Sequence, residues 1–505
     1  MLETSVPRGE ARLFGNTRNT QIMEKKNKFY VTTAIPYANA APHIGFALEA
    51  VQADVIARHR RLAGDDVFFA TGSDEHGAKI AKTAEAAGLS PRHLADRNAE
   101  KFREMIRRLN VSSDDFIRTS DEKRHFPAAQ KLWRRIAGKG DIYKKAYEGL
   151  YCVGCEAFIT AKDLTDGKCA NHLKEPEKIR EENYFFRLSR YSEEIGRRIE
   201  SGEMKIIPRT RANEILSLIE RGLEDVSFSR PAKDLPWGVP VPDDGSQTMY
   251  VWCDALANYL SVLDYAEESE KFQKFWPADV HCIGKDILRF HAAIWPGMLL
   301  SAGLPLPKAI FVHGFIGAEG RKMSKSLGNV VDPLELTEKY GIDAVRYYLL
   351  REIPAYEDGD FSREKFENRY NGDLANGLGN FAARVLTLAA KTGKFEGGKI
   401  SEAVSAKIKE TETAAREKTE EFKFHEALAA VWELIAFGDG YVNLTKPWAT
   451  SDKAAVFDLL NVLEKTALLL EPFLPETSRK IIDCVGREGG SFSPKKCEIL
   501  FPRLK

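Results

Sequence analysis

The chain has 505 residues, with 74 Lys and Arg balanced by 74 Asp and Glu, 43% hydrophobic residues and seven cysteines. A formal charge of zero excludes a global field that would draw it onto DNA or an anionic membrane, and leaves room for local basic patches. No apolar run reaches the ~18 residues of a membrane span, and the length suits about three domains. Residues 1–22 are polar, with Arg8, Arg12 and Arg18 set against Glu3 and Glu10, and Met23 offers a second start; they read as a tail or a false beginning. Residues 28–37, KFYVTTAIPY, are rich in β-branched and aromatic side chains and predict a buried strand. From Ile44, the residues Ala47, Leu48, Val51, Val55 and Ile56 recur at helical spacing, which predicts a helix ending near Gly64. DDVFFATGSDEHG, residues 65–77, is a second strand running into a polar loop, so this region is a β-α-β unit of a parallel sheet. Residues 91–139 predict mostly helix, with Ser90 as N-cap and Pro91 in the first helical position. After a cysteine-rich insert, strand-like runs return at residues 248–256 (TMYVWCDAL), 279–286 (DVHCIGKD) and 308–316 (KAIFVHGFI). From about residue 371 to 484 helical periodicity dominates, predicting an all-α domain.

Two stretches carry chemistry. Cys152-x2-Cys155 and Cys169-x2-His172 are two close pairs separated by a short loop, the spacing of a closed, structural zinc site. Zinc is also bound through thiolates alone, so the spacing fixes His172 least. An odd cysteine count with this tight pairing argues against a disulfide framework and for a reducing, cytoplasmic setting. RKMSKSLGN supplies Lys322 and Lys325 in a short polar loop flanked by Gly320 and Gly328. Joined with the helix N-terminus after the first strand, which presents free N–H groups, two ammonium groups suit a triphosphate attacked at its α-phosphate. Asp74, in a loop after a strand, stands where open α/β sheets hold ligands.

PHIGF early and KMSKS late, with a split parallel sheet between them, resemble the class I aminoacyl-tRNA synthetases. AIPYANAAPHIG, TGSDEHG, the cysteine insert followed by NYFFRLS, YVWCDALANYL, IGKDILRFHAAIWP and KPW narrow the resemblance to the methionyl-tRNA synthetases, from about residue 30 to the end of the chain. The implied architecture is α/β: a split Rossmann-type parallel-sheet catalytic domain with a zinc-bearing insert, then an all-α anticodon-binding helical bundle. The expected boundaries are a tail at 1–27, the first catalytic half at 28–140, the insert at 141–212, and the second half at 213–326, ending in the lysine loop. A stem-contact linker at 327–370 and the helical domain at 371–505 follow.

The resemblance implies methionine activation by ATP with Mg2+, transfer to tRNA(Met), and one zinc per chain. It implies no membrane or DNA partner, and a monomer, since an extra C-terminal oligonucleotide-binding module is lacking. His43, Lys322 and Lys325 would be catalytic. His43, Gly45, Phe46, Glu49, Gly284 and Asp286 would join both lysines around ATP. Phe46 stands where the family ordinarily has histidine, and a phenyl ring cannot donate a hydrogen bond to phosphate. The methionine pocket would comprise Ile35, Tyr37, Asp74, Trp252, Ala255, Leu256, Tyr259, Ile287, Phe290 and His291, with Asp74 holding the amino end. Asn380 and Arg384, four apart and so on one helix face, and Trp448 would meet the anticodon. Two alternatives stay open: a class I synthetase for another apolar amino acid, and a tRNA-binding relative impaired by Phe46.

Overall fold

The computed structural model describes residues 26–153, 157–159, 164–169, 173–321, 323 and 329–505. KFYVTT forms β1 (Lys28–Thr33), buried along nearly all its length. α1 (Ile44–Leu62) follows and buries the periodic face read from the sequence. β2 (Asp66–Ser73) pairs parallel with β1, Val31 opposite Phe69. α2 (Pro91–Arg108) opens where expected, Ser90 Oγ accepting from the His93 N–H at 3.3 Å. The helix expected as far as residue 139 is interrupted. β3 (Asp115–Arg118) joins β2 and α3 (His125–Gly138) starts after it. Four residues are too few for a period to register. The strand is instead held by Asp114, whose N–H bonds the Phe69 carbonyl at 2.7 Å while its carboxylate accepts from the Phe69 N–H at 2.8 Å.

The insert is built on β4 (Ile142–Cys152) and β5 (Glu177–Phe186), an antiparallel pair in register from Ile142 opposite Phe186 to Tyr151 opposite Glu177. The chain re-enters the main sheet at β6 (Lys205–Ile207). TMYVWCDAL, expected as a strand, is extended only at Gln247–Met249 and then turns into α4 (Val251–Leu256). Every residue of that helix but Trp252 is buried, so its apolar run carries no alternation to separate strand from helix. β7 (Val280–Gly284) and β8 (Ala309–His313) complete a six-stranded, all-parallel sheet in the order β3-β2-β1-β7-β8-β6. Strand order reverses between β1 and β7. The crevice beyond the carboxyl ends at that point is where open α/β sheets bind ligands.

The C-terminal part is helical, as predicted: α5 (Ile342–Arg351), α6 (Asn380–Thr392), α7 (Glu402–Glu420), α8 (Phe424–Thr445), α9 (Lys453–Leu470) and α10 (Pro475–Val485). Leu428, Val431 and Leu434 of α8 and Leu459, Leu460 and Leu463 of α9 are fully buried, in a core continuous with that of α1. Arg346 on α5 fastens the two parts together. It is completely buried, ion-paired to Asp54 of α1 at 2.8 Å, and donates to the carbonyls of Leu109, Pro472 and Phe473 at 2.8–3.1 Å. Among the described residues no helix is long and apolar enough to cross a membrane. The cysteine pattern spoke against disulfides, yet Cys484 and Cys497 are bonded. The closing segment folds back over α10 and brings their Cα atoms to 5.6 Å.

Candidate active site

His43 is the N-cap of α1, with its backbone extended and its Nδ1 accepting from the Gly45 N–H at 3.1 Å. That bond fixes the tautomer: the ring proton sits on Nε2, which is left to donate outward. Burial pushes the His43 pKa down to about 4, so the donor is uncharged at neutral pH. A Cβ on residue 45 would meet the His43 ring at 2.9–3.0 Å. Glycine is required there first so that the imidazole can fold over its own helix turn. Phe46 lies against His43 with ring centroids 4.3 Å apart, and edge-on to Phe102 at 5.4 Å. It lines a small cavity of about 10 Å3 with Phe102, Met105, Ile106 and Phe116. The aromatic side chain thus makes a packing contact that props the His43 ring.

Lys322 and Lys325 lie outside the described residues, but both stems of their loop are described. The first stem pairs Ile316–Ala318 with Gly359–Phe361, and the Gly320 N–H bonds Asp360 at 2.7 Å. On the second, the Val331 carbonyl accepts from the Ile44 N–H at 3.0 Å. The second stem is therefore fastened to the α1 N-terminus. Glu49, one turn into α1, is buried and fully engaged: one oxygen accepts from the Ala34 N–H, the other meets His313 Nε2, both at 2.8 Å. His313 Nδ1 faces the Gly314 carbonyl at 2.8 Å, so both ring nitrogens face acceptors. Burial would lower the His313 pKa, but the Glu49 bond outweighs it and the net shift is upward. This ring stands at the end of β8, close to Gly284 and Asp286 at the end of β7. A Cβ on Gly284 would meet Asp286 Oδ1 at 2.9 Å.

The other residues expected at the site make the following contacts. Tyr37 and Asp74 are bridged backbone to backbone, and the Tyr37 hydroxyl donates to the His76 carbonyl at 2.5 Å. Gly72 gives Ile35 room, since a Cβ there would stand 2.9 Å from the Ile35 methyl and 2.2 Å from the Ile117 carbonyl. Trp252 stacks on Phe290 at 3.6 Å, nearly parallel. The Tyr259 hydroxyl bonds His291 Nε2 at 2.7 Å, and His291 Nδ1 bonds the Ile287 carbonyl at 3.0 Å. Burial lowers the His291 pKa to about 4, leaving a neutral ring that accepts the tyrosine proton. Ala255 and Leu256 are buried on α4 beside this pair. Glu75, next to Asp74, is buried and takes a two-pronged bond from Arg118 at 2.7 and 2.8 Å, which fixes the loop. Glu75, Arg118, Glu49's partner His313 and the Asp254 of α4 were not singled out by sequence reasoning. His313 and Asp254 sit inside quoted runs, but their side-chain partners Glu49, His76 and His125 are more than 100 residues away.

Asn380 is exposed at the start of α6, and Arg384 one turn on is held by Asp439 and Asn443 of α8, both at 2.7 Å. Trp448, just beyond α8, is 56% exposed and follows Leu444, which is 80% exposed. Cys152 and Cys169 are buried in one small cluster with Leu150 and Leu164. Cys155 and His172 lie outside the described residues, and among those described no three or more His, Cys, Asp and Glu are grouped to hold a metal.

The family model for "tRNA synthetases class I (M)" matches residues 29–169 and 155–386, and that for the "anticodon-binding domain of tRNA ligase" matches residues 402–497. The methionine–tRNA ligase of Brucella suis is 44% identical over 91% of this chain and 92% of its own length. That of Thermotoga maritima is 42% identical over 91% of this chain and 76% of its own. Among solved structures, Mycobacterium tuberculosis methionyl-tRNA synthetase in complex with methionyl-adenylate superposes with a TM-score of 0.90 at 41% identity, covering 94% of this chain and 100% of that one. Its apo form gives 0.83 at 38% identity. With identity above 40% along nine-tenths of its length and a class I catalytic crevice at the β1/β7 switch point, the chain belongs to the methionine–tRNA ligases.

Proposed function

We propose that this chain activates methionine with ATP and transfers it to tRNA(Met), using the residues gathered at the β1/β7 switch point. The observation that carries this reading is the convergence of three elements in one crevice: the His43-capped start of α1, both stems of the lysine loop, and the wall of Tyr37, Asp74, Trp252 and Phe290. In the first step a methionine carboxylate oxygen attacks the α-phosphorus of ATP, the bond to the bridging oxygen breaks, and pyrophosphate leaves. His43 Nε2–H donates to phosphate oxygens as their charge builds, and Lys322 and Lys325 add positive charge. Mg2+ bound with the triphosphate would supply charge neutralisation there. Asp74 takes the α-ammonium, and the neutral Tyr259–His291 pair, its own hydrogen bonds internally satisfied, leaves an apolar lining for the thioether. A terminal ribose hydroxyl of the tRNA then attacks the carbonyl carbon and AMP leaves. Asn380, Arg384 and Trp448 read the anticodon. The domain boundaries given above are kept as part of this proposal. Methionine-dependent ATP–pyrophosphate exchange, run beside leucine and valine, tests it; exchange stronger with either competitor would overturn the substrate assignment.

Phe46→His should leave the exchange rate within about fivefold of wild type, because His43 already supplies the donor from its capped position. It should lower thermal stability by about 1–3 kcal/mol, since an imidazole would enter the Phe102–Met105–Phe116 cluster without a partner. A rate increase of about a hundredfold would mean that the missing donor is not compensated. Cys152, Cys155, Cys169 and His172 are proposed to hold one structural zinc, the burial of Cys152 and Cys169 in a common cluster being what supports it. Elemental analysis should find about one zinc per chain, falling by at least half in Cys152→Ser. Metal-free protein as purified would refute the site.

A further inference from the structure

Behind the proposed methionine pocket lies a cluster that the reaction just described does not use. Asp254 of α4 is completely buried between two histidines: Oδ2 meets His76 Nδ1 at 2.6 Å and Oδ1 meets His125 Nε2 at 2.6 Å. His76 and His125 are themselves 1% and 0% exposed. The cluster continues one step further. His125 Nδ1 meets Ser261 Oγ at 2.8 Å, and Ser261 Oγ donates its own proton to the Ala257 carbonyl at 2.9 Å. The serine oxygen can therefore only accept, so His125 donates from Nδ1. Burial would push the Asp254 carboxyl up, but the two flanking histidines outweigh it and hold it below its ordinary value, so the carboxylate is the form present.

Three buried ionisable groups are a costly way to pack a core, because each charge loses its hydration. Their positions show what the cluster joins. His76 ends the loop that carries Asp74, His125 opens α3, and Asp254 lies on α4 between Trp252 and Ala255. The His76 carbonyl also receives the Tyr37 hydroxyl. Asp74 is tied in turn to the chain at Tyr37, with its N–H on the Pro36 carbonyl at 2.9 Å and its carbonyl on the Ala38 N–H at 2.7 Å. His76 thus touches one wall of the pocket through its backbone and the other through its ring. The ring stands edge-on to Trp237 at 5.2 Å and Phe126 at 5.6 Å, and Nε2 has no hydrogen-bond partner among the described residues. Asp254 alone sets the hydrogen-bonded orientation of that ring.

We infer that His76–Asp254–His125 is a positioning triad for amino-acid recognition, holding the Asp74 loop and the Trp252 helix at the separation that the α-ammonium and side chain of the substrate require. It rests on the assignment of Asp74, Tyr37 and Trp252 to the methionine pocket. Asp254 and His76 touch no substrate; they act through those three.

The test is pyrophosphate exchange with the full chain, read as separate KM values for methionine and ATP, on Asp254→Asn, His76→Leu and His76→Asn. Asparagine keeps an N–H close to where His76 Nδ1 stands and lacks Nε2. Asp254→Asn and His76→Leu should raise the methionine KM about tenfold or more while the ATP KM stays within about twofold, and His76→Asn should restore the methionine KM to within about threefold of wild type. Parallel rises in both KM values, unchanged methionine KM in His76→Leu, or a loss in His76→Asn equal to that in His76→Leu would overturn the triad as a positioning device. The two His76 variants decide the matter by themselves if Asp254→Asn does not fold. Normal wild-type exchange with that pattern broken refutes the triad alone, whereas wild-type protein without methionine-dependent exchange refutes the substrate reading and this inference with it.

Discussion

His43→Ala is expected to slow methionyl-adenylate formation by about 10²–10³-fold, equivalent to ~2.7–4 kcal/mol of transition-state stabilisation, with the methionine KM little changed. The size follows from the geometry of the cap. The Nδ1 bond to the Gly45 N–H commits one nitrogen and leaves Nε2–H as the outward donor. The residue after Gly45 is phenylalanine, so no second imidazole stands beside it to share the loss. His43→Asn should also lose most of the rate, because its shorter amide can cap the helix but reaches less far. Because burial holds the His43 pKa at about 4, the neutral donor persists at all pH values above that, and the rate should not fall through this group on mild acidification. Single-turnover measurement of adenylate formation checks both statements. A loss below about fivefold in His43→Ala would place the donor elsewhere in the crevice.

Asp54→Ala is expected to destabilise the protein by about 3–5 kcal/mol, the largest stability effect of any single surface-distant substitution proposed for this chain. Asp54 is wholly buried. It pairs with Arg346 and with Arg58, both at 2.8 Å, and accepts from the Ser112 N–H and hydroxyl at 2.7 and 2.6 Å. Removing it strands the Arg346 guanidinium in the core where α1 meets α5. Burial would raise the Asp54 pKa, but Arg346 and Arg58 outweigh it and the carboxyl lies below its ordinary value. Its stabilisation is therefore present at neutral pH and is lost as pH falls through that depressed value. The double variant Asp54→Leu with Arg346→Met should recover most of the loss, since no charge is then left unpaired. Urea unfolding of the three proteins, followed through tryptophan fluorescence, provides the comparison. An Asp54→Ala cost under about 1 kcal/mol would show that water or backbone carbonyls compensate Arg346.

β1, α1, β7 and β8 were legible in the sequence because long apolar or periodic runs have one physical reading. α4 was misread because VWCDAL is buried on nearly every side and so shows no period. β3 escaped because four residues held by a neighbouring aspartate carry no pattern of their own. The site divides the same way. His43, Asp74 and the lysine pair lie in short motifs, which is why sequence reading could propose them. Asp254, His76, His125 and His313 matter through partners that only the fold brings near, so nothing local in the chain marks them. Phe46 was legible as a departure but not as a packing residue, since Phe102 and Phe116 reach it from α2 and β3.

The central position of β1 also bears on how the protein is made. β1 lies between β2 and β7, with Val31 opposite both Phe69 and Val280. About 250 residues separate β1 from β7 in the chain, and a ribosome adding roughly 5–20 residues per second needs tens of seconds to supply them. Throughout that interval β2 and α1 can already dock on β1, while its other edge has no partner. The antiparallel β4–β5 pair, being local, can close meanwhile without shielding it. Slow, long-range parallel pairing is the step at which such chains mispair. The spacing of two strands thus sets how long that edge waits during translation, and faster synthesis of the stretch between β1 and β7 should raise the yield of native protein more than strengthening the finished sheet would.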